Sequence, residues 1–197
     1  MADMQRPNIL FLTNDQHRFD AYGHLGTWGD LTTPTIDRLA AEGTTYRNAV
    51  ATCPICVPNR FVWNHGLQPS QAAGGMLFNA ADWPMVPTLP GALQKSGYRT
   101  ALIGKLHSEH GDLDTDAHRE NTHARGFEGV YEVGGRSIAF RRHCRWTRHL
   151  EARGLLERYR ADIEDRTAHR CWNEPYRASV LPYDDQMDVF IRRDAEK

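Results

Sequence analysis

Thr100-Ala101-Leu102-Ile103-Gly104-Lys105-Leu106-His107 is a short apolar run that stops at a glycine and passes at once to a lysine and a histidine. A continuous apolar run of this length, bounded by turn residues, reads as a buried strand of a parallel sheet. Its upstream neighbour, Thr88 to Ser96, reads as a helix closed by Gly97. Helix, glycine, buried strand and polar burst form the repeating grammar of an α/β fold, in which functional groups gather at the carboxyl ends of the strands.

The same grammar appears nearer the N-terminus. Asn8-Ile9-Leu10-Phe11-Leu12-Thr13 follows Pro7 as an apolar run and ends in Asn14-Asp15-Gln16-His17-Arg18. Thr33-Pro34 opens a helix that runs through Ile36, Leu39 and Ala40 to Gly43, and Thr44 to Val50 alternates as a second strand. The predicted order β-α-β-α-α-β specifies an α/β fold with a mainly parallel sheet. Residues 108–136 read as a long polar surface excursion. From Ser137 to about Arg170 the chain turns helical and Arg-rich, with Phe140, Cys144, Leu150, Leu155 and Tyr159 as its apolar stripe.

Between the second strand and the next helix lies Cys56-Val57-Pro58-Asn59-Arg60. A helix starting at Pro58 puts Arg60 in its first turn and Cys56 just before it. A nucleophile held there faces unpaired backbone N–H groups and the positive end of the helix dipole, which suits chemistry on an anion.

Bulk properties exclude several classes. The 197 residues carry a formal net charge of −1, so no strong overall field attracts nucleic acid or a membrane surface. Nothing approaches the roughly 18 consecutive apolar residues of a membrane span. The N-terminal residues lack an apolar signal core, and the expected compartment is the cytoplasm. Cys53, Cys56, Cys144 and Cys171 do not form a secreted disulfide framework. There are 21 Arg against three Lys, so arginine is the default cation and Lys105 is an internal exception, chosen for a compact ammonium. Arg141-Arg142-His143-Cys144-Arg145-Trp146 has the composition of a nucleic-acid patch, but the acids between Glu151 and Asp165 weaken it. The plainer reading is the solvated face of a helix.

Three polar clusters therefore follow three strands: Asp15, Cys56 with Arg60, and Lys105 with His107. A carboxylate for a cation, a nucleophile beside an arginine, and a Lys/His pair for anionic oxygens make a coherent site for hydrolysing a sulfate or phosphate ester. Taken singly each has a bland reading, as a cap, a small core residue or a chance pair.

These stretches together resemble the N-terminal part of a sulfatase, in the alkaline-phosphatase-like superfamily. Arg6 to Gln16 resembles the opening strand of that family, Thr33 to Gly43 its first helix, and Tyr46-Arg47-Asn48-Ala49 the strand after it. Cys56-x-Pro58-x-Arg60, with Gly66 and Pro69 behind it, resembles the sulfatase signature, and Gly91 to His107 the next helix, strand and Gly-Lys-x-His motif. The resemblance is strongest over residues 6–136. It implies an alkaline-phosphatase-like α/β fold, a mainly parallel sheet flanked by helices. Residues 1–197 would form the N-terminal portion of that domain, incomplete and with a helical part, 137–197, cut short at the C-terminus.

The resemblance also implies a chemistry. Cys56 would be oxidised to formylglycine by a maturation enzyme, and its hydrate would attack a sulfate ester of a small molecule or sugar. Asp15, with the modified Cys56, would bind a divalent metal, calcium most often in the family. Arg60 would steady the modified residue, and Lys105 and His107 would hold sulfate or leaving-group oxygens. The chain departs from the family at Asn59, where a small residue is usual, at the bulkier Phe61-Val62-Trp63-Asn64-His65, at Asn14 and at Leu106. The family's later metal ligands have no counterpart after residue 140. A phosphonate or phosphodiester hydrolase of the same superfamily and a non-catalytic anion-binding remnant are the alternatives. A thiol redox role for Cys53-Pro54-Ile55-Cys56 lacks a supporting arrangement, and zinc lacks paired ligand spacing.

Overall fold

The computed structural model describes residues 6–71, 83, 87–108, 111–168 and 178–197, and Cys171 lies outside them. The chain divides into two compact units, Met1–Val50 and Ala51–Lys197.

The first unit is built on helix α1 (Pro34–Glu42), which has proline at its first position as the sequence predicts. Asp37 organises it. Its carboxylate accepts the amides of His24 (2.8 Å) and Thr33 (3.2 Å) and the hydroxyl of Thr33 (2.8 Å), clamping the short 3-10 turn Gly23–Leu25 onto the helix start. His17 and His24 stack on Tyr22 with ring centroids at 4.4 and 5.8 Å. The strands expected over Asn8–Thr13 and Thr44–Val50 are not formed: both runs are irregular, and Leu10 and Val50 are 86% and 88% exposed. An apolar run becomes a parallel strand only when a ladder and cover on both faces stabilise it, and the described residues of this unit supply neither.

The second unit holds a β-α-β crossover. Strand β1 (Ala101–Gly104) pairs in parallel with β2 (Gly129–Glu132), in the register Ala101↔Gly129 to Gly104↔Glu132, and helix α4 (Asp116–Ala124) connects them. Residues 108–136, read from sequence as a surface excursion, thus contain a crossover helix and the second strand. The helix escaped detection because it has no apolar stripe: its buried residues are His118 and Thr122. Before β1, helix α3 (Leu89–Lys95) is capped by Thr88, whose Oγ1 accepts the Gly91 amide (3.0 Å) and donates to the Arg125 carbonyl (2.6 Å). That tie brings the Gly91 and Gly126 backbones so close that a Cβ on Gly126 would sit 2.3 Å from the Gly91 nitrogen. Helix α2 (Cys56–His65) packs Val57 and Phe61 against Trp83 as a small separate core.

The main core lies in the C-terminal helical part, formed by α5 (Arg136–Arg141), α6 (Arg145–Ala152), α7 (Leu156–Ala168) and α8 (Met187–Ala195). Cys144, Leu150 and Tyr159 are buried in it and Phe140 and Leu155 pack against it, as the stripe predicts. Trp146 is 2% exposed, stacks edge-on with Tyr159 and donates its indole N–H to the Asp185 carbonyl (3.0 Å). The aromatic of the basic stretch is therefore core. Arg145 and Arg148 pair with Asp194 (3.0 Å) and Asp114 (2.9 Å). Asp185, 1% exposed, receives His149 Nε2 (2.8 Å) and Arg153 Nε (2.7 Å) on one oxygen. No helix among the described residues is long and apolar enough to cross a membrane.

Burial pushes the Tyr159 phenol from 10.0 up to about 12. In the unfolded chain it ionises near its ordinary value, so between these two pH values only the folded state keeps the proton. Stability is present in full below pH 10 and falls by about 1.4 kcal/mol per pH unit up to the folded value. Urea unfolding of the wild type and Tyr159→Phe across this range should show the extra alkaline slope in the wild type alone; equal slopes would refute it.

Candidate functional site

Helix α2 begins at Cys56, two residues before the proline expected to open it. Pro58 is then the third helical residue, where its missing N–H would have had no partner within the helix. The shift puts Cys56 and Arg60 one turn apart on the same face. Cys56 is half-buried and reduced. The N-cap residue, Ile55, offers no side-chain acceptor, whereas α3 and α4 are capped by the hydroxyls of Thr88 and Thr115. The first-turn amides beside Cys56 are left without that cap.

Arg60 links this helix to the sheet. Its guanidinium, in a residue 6% exposed, donates to the backbone carbonyl of Lys105, and it lies over the Trp63 ring at 5.5 Å. The bulky 61–65 segment that departs from the family's small-apolar pattern does structural work here. Phe61 is fully buried, His65 lies tilted against it with centroids 4.5 Å apart, and Trp63 meets the arginine.

Lys105, Leu106 and His107 leave β1 through an unusual backbone. Gly104 has φ +99° and His107 φ +63°. The left-handed region costs a side-chain-bearing residue energy, so the turn needs an external hold. The Lys105 ammonium lies against the backbone of Gly135, where an added Cβ would meet both its Cε and Nζ at 3.0 Å. Gly135 follows the end of β2. The wall of the site is thus the carboxyl end of the second strand, and the Lys/His pair sits at the carboxyl end of the first, as the parallel arrangement demands.

The structure brings Cys56, Arg60, Lys105 and His107 into one set of elements through the Arg60–Lys105 bond. Asp15 belongs to the first unit, where it is exposed in a bend before Gln16, itself at φ +61°. A hard divalent cation takes about 6–8 oxygen ligands. Among the described residues no group of three or more His, Cys, Asp and Glu side chains could hold a metal ion. The described donor set by itself does not fit calcium; it offers a thiol at the start of the helix that Arg60 bonds to the turn carrying Lys105 and His107.

Sequence reasoning missed Gly135, Glu132 and His118. Val130-Tyr131-Glu132-Val133-Gly134-Gly135 carries the signal of a strand ending in glycines, and Thr115-Asp116 that of a helix start. His118, on a helix without an apolar face, carries none.

The Sulfatase family model matches residues 7–162. The chain is 35% identical to the steryl-sulfatase of Mus musculus over 113 residues, which is 51% of this chain and 18% of that protein. It is 33% identical to the ulvan-active sulfatase of Formosa agariphila over 119 residues, 60% of this chain and 21% of the relative. With the N-acetylglucosamine-6-O-sulfatase of Bacteroides thetaiotaomicron it shares 36% over 107 residues, 53% and 18% of the two chains. The chain thus spans only about a fifth of the length of these relatives. No solved structure matches it.

Gly104 is the position at which the turn is most exposed to a backbone test. A Cβ there would meet only Ile191 atoms at 3.6 and 3.8 Å, so crowding is slight and the penalty of Gly104→Ala comes from φ. The expected loss is about 1–3 kcal/mol in urea unfolding. A change indistinguishable from zero would show that the turn does not hold this conformation.

Proposed function

The chain belongs to the sulfatase family, with its alkaline-phosphatase-like α/β fold, and from that premise we propose that it carries the nucleophile and anion-binding part of a sulfuric ester hydrolase site. The observation that carries the proposal is the bond from Arg60 to the Lys105 carbonyl, which ties the Cys-x-Pro-x-Arg helix to the Lys-x-His turn.

Each residue has a role suited to its place. Cys56 stands at the first position of α2, beside uncapped amides and the positive helix end, where negative charge is favoured. Converted to formylglycine by a maturation enzyme, this position would supply as its hydrate one hydroxyl to attack sulfur and a second whose deprotonation releases sulfate. Arg60, one turn from Cys56, would steady the modified residue, and its bond to the Lys105 carbonyl holds the helix against the turn. Lys105, pressed against Gly135, offers a compact ammonium to the sulfate oxygens. His107 would pass a proton to the departing alcohol oxygen. Asp15 is the carboxylate we reserve for calcium, whose shell needs further ligands. The substrates in this reading are sulfate esters of small molecules, of the sterol or sugar kind for which the relatives are named.

The decisive measurement is the mass of the peptide containing Cys56 after co-expression with a formylglycine-generating enzyme. An aldehyde is expected, and an unmodified thiol would remove the proposed nucleophile. Preference for an aryl sulfate over a phosphate diester supports the sulfuric ester reading, and the reverse preference would transfer the site to the phosphonate or phosphodiester class. Gly135→Ala, at an ordinary φ of −64° but at the N-cap of α5, should cost no more than about 1 kcal/mol in urea unfolding. By displacing the ammonium it should weaken inorganic sulfate binding about ten-fold. Unchanged sulfate affinity would mean that Lys105 does not meet the anion.

A further inference from the structure

One buried carboxylate reaches the Lys105–His107 turn from the neighbouring strand. Glu132 closes β2, in register with Gly104, and is 2% exposed. Its Oε1 accepts two successive backbone amides, those of Leu106 and His107, both at 3.0 Å. Its Oε2 lies 2.8 Å from Nε2 of His118, which is equally buried. With Glu132 ionised, Oε2 accepts from the Nε2–H tautomer of His118. His118 is itself fixed: its amide is bound by the Thr115 cap (3.1 Å) and its carbonyl accepts the Thr122 hydroxyl (2.9 Å).

Resting on the reading of Lys105 and His107 as the anion-binding pair, we propose that Glu132, oriented by His118, is the positioning residue that sets this turn for its ligand. A carboxylate withdrawn from water is costly unless it is fully hydrogen-bonded. A pair serving only to pin α4 to the sheet would be complete with the bond to His118. Glu132 instead spends its other oxygen on two adjacent amides of the turn that holds His107 at positive φ. Those bonds fix the direction in which Lys105 and His107 leave the backbone, and Arg60 fixes the carbonyl one residue earlier.

The arrangement also decides how an anion is held. Two successive amides in a turn with left-handed residues would make a backbone nest for an oxyanion. Here Glu132 occupies both, so the sulfate is left to the side chains of Lys105 and His107.

The test uses the full chain, isotope-labelled, with inorganic sulfate as the probe. In the wild type the Leu106 and His107 amides should be shifted downfield and protected from exchange. Glu132→Gln, which keeps the shape and loses the charge, should move both upfield and weaken sulfate binding about ten-fold. His118→Gln should move the same two amides in the same direction by less. Sulfate affinity of the folded protein is the readout that a merely structural pair would leave alone. Unchanged amides, or changed amides with unchanged sulfate affinity, would overturn the proposal. If Glu132→Gln does not fold, the wild type still decides, since rapid exchange at Leu106 and His107 would overturn it. If the wild type binds no sulfate although Glu132→Gln moves both amides, the hold on the turn stands and the ester-hydrolase reading falls.

Discussion

The pairing of Gly104 with Glu132 in the parallel ladder is the constraint on which the second unit depends. A parallel register puts the carboxyl ends of both strands at one level, so whatever follows β1 must lie beside whatever ends β2. Everything chemical in this unit uses that fact. The turn after β1 donates two amides to Glu132, its lysine rests against Gly135, and the first amide beyond β2, that of Val133, donates to the Gly104 carbonyl (3.0 Å). A one-residue slip would send Glu132 to the face where Tyr131 is exposed and leave the Leu106 and His107 amides and His118 without it. The polar pair therefore specifies register as well as holding the turn.

The helical layer repeats the device. Asp185, like Glu132, is an almost completely buried carboxylate with a histidine on it, and it too joins elements distant in sequence, α6 and the turn before α8. In both places the polar group does what apolar packing cannot, because hydrogen bonds have direction and fix orientation as well as proximity. The difference lies in the partners. Asp185 takes side chains and serves the packing of helices, with Trp146 bonded to its own carbonyl. Glu132 takes backbone amides next to Lys105, the lysine proposed to meet the anion.

The fold and site were legible in the sequence to different depths. Helices with caps and periodicity were readable: α1 has Pro34 and Gly43, α3 has Thr88 and Gly97, and the stripe from Phe140 to Tyr159 became core. β1 was readable because a continuous apolar run between glycines has few other uses. The same reasoning failed at Asn8–Thr13, where composition is just as apolar, because a strand is made by its neighbours and not by its own residues. α4 and β2 failed for the opposite reason: their burial is polar, through His118, Thr122 and Glu132, and hydrophobic patterning does not register it. The site followed the same division. Cys56, Arg60, Lys105 and His107 announce themselves by type and spacing, whereas Glu132, His118 and Gly135 acquire their roles only from the pairing of the strands.

The departures from the family pattern acquire a physical meaning in that light. Phe61 and His65 belong to a segment bulkier than the family's, and with Trp83 they form the aromatic cluster that seats α2. Seating matters because Arg60 can reach the Lys105 carbonyl only if the helix is fixed along its length, and a residue one turn from Cys56 carries any tilt directly to it. Leu106 is similar. Its side chain is buried and its amide is bound to Glu132, so the residue between the lysine and the histidine anchors the turn by both its backbone and its side chain. The departures in α2 and at position 106 thus fall on the two sides of one contact, the Arg60–Lys105 bond. What the geometry preserves across both changes is the relation between the start of a helix and the end of a strand.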